Sequence, residues 1–275
     1  MTRRSRTSGS GVLLACALLL AACAPGSPAG DGAAVASEPG PDELTGSLTV
    51  FAAASLQPAF EELGALFEQR HPSVDLQPMT FDGSATLVTQ LAGGARADVL
   101  ATADERSMAG AAGAGLLAGE AVPFTTNTLQ VVVAAGNPEH VTSVADLGEL
   151  AASGGRVVVC ASQVPCGAAT QEVLDAAGVE LPGASQEQNV SAVLMKVVGG
   201  DADAGLVYRT DVLRGGDAVE GVDVPEAADV VNAYPVAVLA DRADGHDARV
   251  ARAFVDLLLS EQGQGVLDRL GFVRP

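Results

Sequence analysis

Residues 48–67 read LTVFAAASLQPAFEELGALF, and the change of period inside this stretch decides the fold class. Positions 48–53 are apolar almost without a break, as in a strand buried on both faces. After Ser55 the large apolar residues return as Phe60, Leu63 and Phe67, at i, i+3 and i+7, which is a helical stripe. The same alternation continues along the chain. Strand-like runs fall at 74–78, 98–102, 129–134, 157–160, 204–208 and 236–240. Helical stretches fall near 85–92, 105–112, 144–152, 168–177, 190–198, 247–259 and 261–269, and Gly93-Gly94, Gly178 and Gly199-Gly200 sit where helices end. Strands alternating with helices indicate an α/β protein with largely parallel sheets covered on both faces. Such sheets bind ligands beyond the carboxyl ends of their strands, at helix N-termini.

The front of the chain reads as an address rather than as fold. Arg3, Arg4 and Arg6 precede an apolar run at 11–22 that is too short to cross ~30 Å of hydrocarbon but suits a secretory signal. The run ends Leu20-Ala21-Ala22-Cys23, which resembles the lipobox of bacterial lipoproteins. The resemblance implies removal of residues 1–22, lipidation of Cys23 and anchoring outside the cytoplasm by acyl chains. Residues 23–46 are rich in Pro, Gly, Ala and Ser and read as a flexible tether, with folded structure expected from about Ser47.

Charge narrows the partners. The 275 residues carry 34 acidic and 15 basic side chains, and loss of 1–22 removes three Arg and no acid, leaving 34 against 12, or −22. Nucleic acid is excluded as a partner, since phosphate backbones demand clustered Lys and Arg. The chain has one Lys, Lys196, preceded by Met195, so a phosphate-binding G-x-x-x-x-G-K-[ST] loop is absent. Attachment to a membrane must come from lipid, because the acidic excess repels anionic surfaces. Of four cysteines, Cys16 leaves with the signal and Cys23 takes lipid. Cys160 and Cys166 remain, and outside the cytoplasm such a pair tends to oxidise. We read a disulfide there, the other reading being two buried thiols; a seven-residue loop gains roughly 2.4 kcal/mol in the chain-entropy account.

Four segments place a small or capping residue at a helix start: Ala53-Ala54-Ser55, Gly83-Ser84, Pro165-Cys166-Gly167 and Asn189-Val190. One alone is ordinary capping. Four in one α/β chain can converge on an anion, since free N–H groups and the positive helix end both favour negative charge.

The runs LTVFAAASLQPAFEEL, FDGSATLVTQLAGGARADVLATAD, CASQVPCGAAT, NVSAVLMKVVGGDADAGLVY and NAYPVAVL resemble, in order, the periplasmic molybdate-binding proteins of bacterial ABC importers. The resemblance spans most of 48–240, and 247–275 fits that family's closing helices. It implies a two-lobed periplasmic-binding-protein fold of type II, each lobe a mixed, mostly parallel sheet flanked by helices. The lobes are expected at 47–127 with 233–275 and at 128–232, with hinge crossings at 126–128 and 232–235. It further implies that molybdate or tungstate is held between the lobes by neutral donors: the hydroxyls and backbone N–H groups of Ser55 and Ser84 from the first, and the backbone N–H groups of Cys166 and Val190 with the Tyr208 phenol from the second. The implied partners are a membrane permease and its cytoplasmic ATPase. The expected carrier is a monomer with no cofactor and no metal beyond the oxyanion.

The chemistry agrees. A tetrahedral dianion without a proton needs only donors, and charge-assisted bonds are about twice as strong as neutral ones. Discrimination from the smaller sulfate then rests on cavity size, which keeps a sulfate or other oxyanion carrier as the alternative. Asp82, beside Ser84, would repel a dianion and is expected to face solvent. Arg209, next after Tyr208 on the strand, should point the other way. A lipid-anchored hydrolase is the distant alternative. No G-x-S-x-G elbow occurs, His71, His140 and His246 lack metal-ligand spacing, and the acid pairs at 42–43, 61–62 and 201/203 read as solvated faces.

Overall fold

The computed structural model describes residues 43–240 and 248–275. The signal segment 1–22, Cys23, the tether up to residue 42 and the loop 241–247 with His246 lie outside the described residues. No helix among the described residues is long and apolar enough to cross a membrane. The tether was expected to run to residue 46, but Leu44 already packs against the core. Strand β1 (Gly46–Leu48) pairs with β3 (Val74–Leu76), Gly46 opposite Val74.

Two five-stranded sheets organise the rest. The first runs in the order β4 (Thr80–Asp82), β2 (Val50–Ala53), β5 (Val99–Ala101), β12 (Asn232–Val238), β6 (Val122–Asn127). The second runs β9 (Ser185–Glu187), β8 (Val157–Cys160), β10 (Ala204–Tyr208), β7 (Leu129–Ala134), β11 (Val219–Val222). Both follow one plan: the first two pairings are parallel and the last two antiparallel. In each, the antiparallel member comes from where the chain passes between sheets. β7 follows β6 after a single residue, and β12 returns from the second sheet to pair with β6, Asn232 opposite Asn127.

Period-two alternation explains why β2 is buried throughout. Val50 and Ala52 face the larger core, while Phe51 joins Leu100 and Ala237 in a second cluster with Leu87, Leu91 and Met108. Helices α2 (Ser84–Ala92) and α3 (Glu105–Gly113) supply that second face. On the first face α1 (Gln57–Arg70) delivers Phe60 and Phe67 against Phe254 of α8 (Ala248–Leu259), with ring centroids 5.9 and 5.5 Å apart. α9 (Glu261–Arg269) closes that layer. The second sheet is covered by two helix pairs, α4 (Val144–Ala152) with α5 (Pro165–Ala177), and α6 (Val190–Val198) with α7 (Arg209–Gly215).

The structure corrects the reading of Arg209, which does not continue the strand. It opens α7, is exposed, and donates its backbone N–H to the Thr128 carbonyl at 2.9 Å, so strand alternation does not apply to it. Asp203 is no free solvated acid either. Its carboxylate takes the Arg156 guanidinium and, at 2.8 Å, the Arg156 backbone N–H, and these bonds hold its pKa below the ordinary carboxylate value.

Candidate functional site

The site is built where β2, β4, β8, β9 and β10 end. Ser55, Ser84, Cys166, Val190 and Tyr208 all line one small cavity, in which the centre of a water-sized sphere has about 10 Å³ to move. Ala53, Ala54, Asp82, Gly83, Ala103, Val164, Pro165 and Asn189 complete its wall.

Each donor follows from its element. β2 runs straight into a single 3-10 turn, Ala54–Leu56, which buries Ser55. Ser55 Oγ lies 3.0 Å from the Tyr234 hydroxyl, in β12. Ser84 is the first residue of α2, where no side chain caps the helix. Its Oγ accepts the Ala103 N–H at 3.0 Å, so its own proton is left to give.

In the second lobe the donors are held by the backbone. At the start of α5, Pro165 has no N–H, and those of Gly167 and Ala168 both go to the Val164 carbonyl at 3.0 Å. This leaves the Cys166 N–H at the cavity wall. Cys166 is tied to Cys160 by a disulfide, Cα to Cα 5.7 Å. Gly167 fits beside it because a Cβ there would lie 1.9 Å from the Ala161 carbonyl oxygen. At α6, Asn189 Oδ1 accepts the Ala192 N–H at 3.0 Å, capping the helix one residue ahead of Val190. Tyr208 ends β10 fully buried, edge-on to Tyr234 at 5.9 Å, and its hydroxyl has no partner among the described residues. Burial, followed by repulsion from Tyr234, pushes its pKa well above the ordinary phenol value, so it remains a donor.

Among the described residues no Lys or Arg lines the cavity. Among the described residues no group of three His, Cys, Asp or Glu could hold a metal ion. Buried polar groups that no protein atom satisfies cost about 1–3 kcal/mol each, so an unpartnered, buried hydroxyl beside free helix-end N–H groups is arranged for an acceptor that arrives from outside.

The expectation that Asp82 faces solvent is overturned. It stands in the cavity wall, because its Oδ1 accepts the Gly83 N–H at 2.7 Å and the Asn189 Nδ2 of the other lobe at 2.9 Å. Two residues of the site were not singled out from sequence. Tyr234 was visible only as part of the returning NAYP run, and Asn189 only as a helix cap. Their second roles depend on partners far along the chain. Further polar contacts lie where the chain passes between the sheets: Asn127 Nδ2 donates to Thr210 Oγ1 at 2.9 Å and Asn232 Nδ2 to the Ala103 carbonyl at 3.0 Å. The described histidines stay outside the site. His71 lies against Phe67 with its ring tilted by 53°, and His140 is exposed.

Two similar sheets with a donor-lined cavity at the ends of their strands define a two-lobed binding protein. The chain belongs to the bacterial extracellular solute-binding proteins, whose family model matches residues 48–273. It is 44% identical over 256 residues to the molybdate-binding protein ModA of Mycobacterium tuberculosis H37Rv, covering 93% of each chain. Its fold matches the periplasmic molybdate-binding protein of Azotobacter vinelandii with a TM-score of 0.68 at 18% identity, covering 83% of this chain and 99% of that one. The sulfate-binding protein SubI of M. tuberculosis H37Rv also scores 0.68, at 21% identity, covering 83% and 86%. At such identities these two structures speak for the fold alone.

Proposed function

We propose that this protein captures molybdate or tungstate outside the cell and delivers it to an ABC permease driven by a cytoplasmic ATPase, working as a lipid-anchored, monomeric carrier and not as an enzyme. The observation that carries the proposal is the convergence of Ser55, Ser84, Cys166, Val190 and Tyr208, from helix starts and a strand end 153 positions apart at the extremes, on a cavity that no cationic side chain among the described residues lines. Hydroxyls and helix-end N–H groups replace the water shell of a tetrahedral dianion, and the positive helix termini offset its charge. The relatives named for molybdate support the choice of ion.

Asp82 gives a specific ground for a second reading, a carrier of another tetrahedral oxyanion. A carboxylate in the wall can accept the proton of hydrogen phosphate, which molybdate at neutral pH does not offer. Calorimetric titration of the mature protein with molybdate, tungstate, sulfate and phosphate at one pH separates the two. Stoichiometric binding of the first two, with sulfate and phosphate much weaker, is expected. Preference for phosphate or sulfate would overturn the molybdate assignment.

A further inference from the structure

The two lobes meet on the cavity rim at a pair of dipeptides, and both side chains and backbone take part. Asp82 Oδ1 accepts from Gly83 N–H within its own lobe and from Asn189 Nδ2 across the cleft, at 2.7 and 2.9 Å. The other end of the Asn189 amide caps α6, the helix that presents Val190. One side chain therefore fixes a ligand-facing helix and reaches the opposite lobe. Beside it the backbones come together. A Cβ on Gly83 would sit 2.2 Å from the carbonyl oxygen of Gln188. Gly83 has φ −59° and ψ 134°, torsions that any residue adopts. Its lack of a side chain is required by the neighbouring lobe and not by its own backbone.

We propose that Asp82–Gly83 and Gln188–Asn189 form a clasp that latches the closed lobes over the ligand and sets how long the ligand stays. The proposal rests on the oxyanion reading of the cavity. A carboxylate in that wall is otherwise a liability, because like charges repel strongly where water is excluded. The clasp turns it to use: its hydrogen bond to Asn189 exists only when the lobes are shut, so it favours the closed state alone.

Stopped-flow release of molybdate, with small-angle scattering before and after addition of the ion, tests this in the mature protein. Asp82→Ala is expected to release molybdate about tenfold faster, the equivalent of about 1.4 kcal/mol, with the melting temperature of the ligand-free protein unchanged. Asp82→Asn keeps an oxygen for Asn189 Nδ2 and sheds the charge, so slow release returns. A merely structural role for Asp82 would not be rescued in release rate by this variant. Gly83→Ala obstructs closure itself; it is expected to abolish the compaction seen on adding molybdate and to weaken binding about 100-fold, while the ligand-free protein folds normally. Wild-type release from Asp82→Ala, equal release from the Ala and Asn variants, or normal compaction of Gly83→Ala would each overturn the clasp. Wild-type protein that binds none of the four oxyanions would sink the oxyanion reading and the clasp with it, whereas wild-type binding with unaltered variants sinks the clasp alone.

Discussion

The two lobes share a strand order and a pattern of pairing, yet they hold their donors by different means. The first offers side-chain hydroxyls, Ser55 and Ser84, which a substitution can delete, one beside the Tyr234 hydroxyl and the other accepting the Ala103 N–H. The second offers backbone N–H groups that no substitution can delete, set by Pro165, the Cys160–Cys166 disulfide and the Asn189 cap, with the Tyr208 phenol as its one side-chain donor. The contrast teaches that a single fold plan can present the same chemistry from replaceable atoms or from the chain itself. Mutation should therefore strike the first lobe directly and the second only through its scaffolding.

Among substitutions of the donors themselves, the largest effect is expected at Ser84→Ala. It removes a proposed ligand donor and also leaves the buried Ala103 N–H unpaired, so affinity should fall about 10- to 100-fold and stability by about 1–3 kcal/mol. Titration and thermal melting of the ligand-free protein read the two losses separately. Tyr208→Phe sharpens the contrast. Its hydroxyl has no partner among the described residues, so affinity should drop by a similar factor while ligand-free stability holds or rises. A fall in ligand-free melting temperature would show that the phenol is a structural group after all.

Reducing the disulfide, or replacing Cys160 and Cys166 by Ser, should cost about 2 kcal/mol of stability and weaken binding only modestly, because the Cys166 N–H remains. If binding collapsed instead, the backbone donors of this lobe would be as fragile as the hydroxyls of the other, and the comparison would break.

The smallest effect concerns Asp211, buried in α7 beside the hinge. Its Oδ1 meets Arg214 at 2.7 Å and its Oδ2 has no partner among the described residues. Burial, against the pull of Arg214, raises its pKa to about 6. A carboxyl with a raised folded-state pKa stabilises fully below its unfolded value near 4, and that contribution is lost as pH climbs through about 6. Wild type should thus lose stability between pH 4 and 6 relative to Asp211→Asn. At pH 7.5 the variant should be about 1 kcal/mol more stable, tempered by the ion pair that Arg214 gives up. Melting curves across that range check the sign.

Much of this architecture can be read from residue patterns because the central strands are apolar almost throughout. Runs such as those at 129–134 and 204–208 admit little else, and the helical stripe of Phe60, Leu63 and Phe67 is equally plain. The edge strands are not legible. Thr80–Asp82, Ser185–Glu187 and Val219–Val222 have only three or four residues, several of them polar, and they exist because a neighbouring strand offers free backbone groups. α7 was missed since seven residues starting at Arg209 carry too short a stripe to show a period. The donors of the site lay in quoted motifs, and so did Asp82, Gly83 and Asn189, but the pairing of these three across the cleft did not show. Asp82 and Asn189 are 107 positions apart, and only the folded chain brings the carboxylate to the amide.

The central claim is that a ring of neutral donors shared by both lobes holds a doubly negative oxyanion. Anomalous diffraction at the molybdenum edge, from crystals of the mature protein grown with molybdate, tests it most directly. One strong peak is predicted in the cleft, with its oxygens about 2.7–3.1 Å from Ser55 and Ser84 Oγ, the Cys166 and Val190 nitrogens and the Tyr208 hydroxyl. A peak seated against an arginine elsewhere, or an empty cleft at saturating ion, would contradict it.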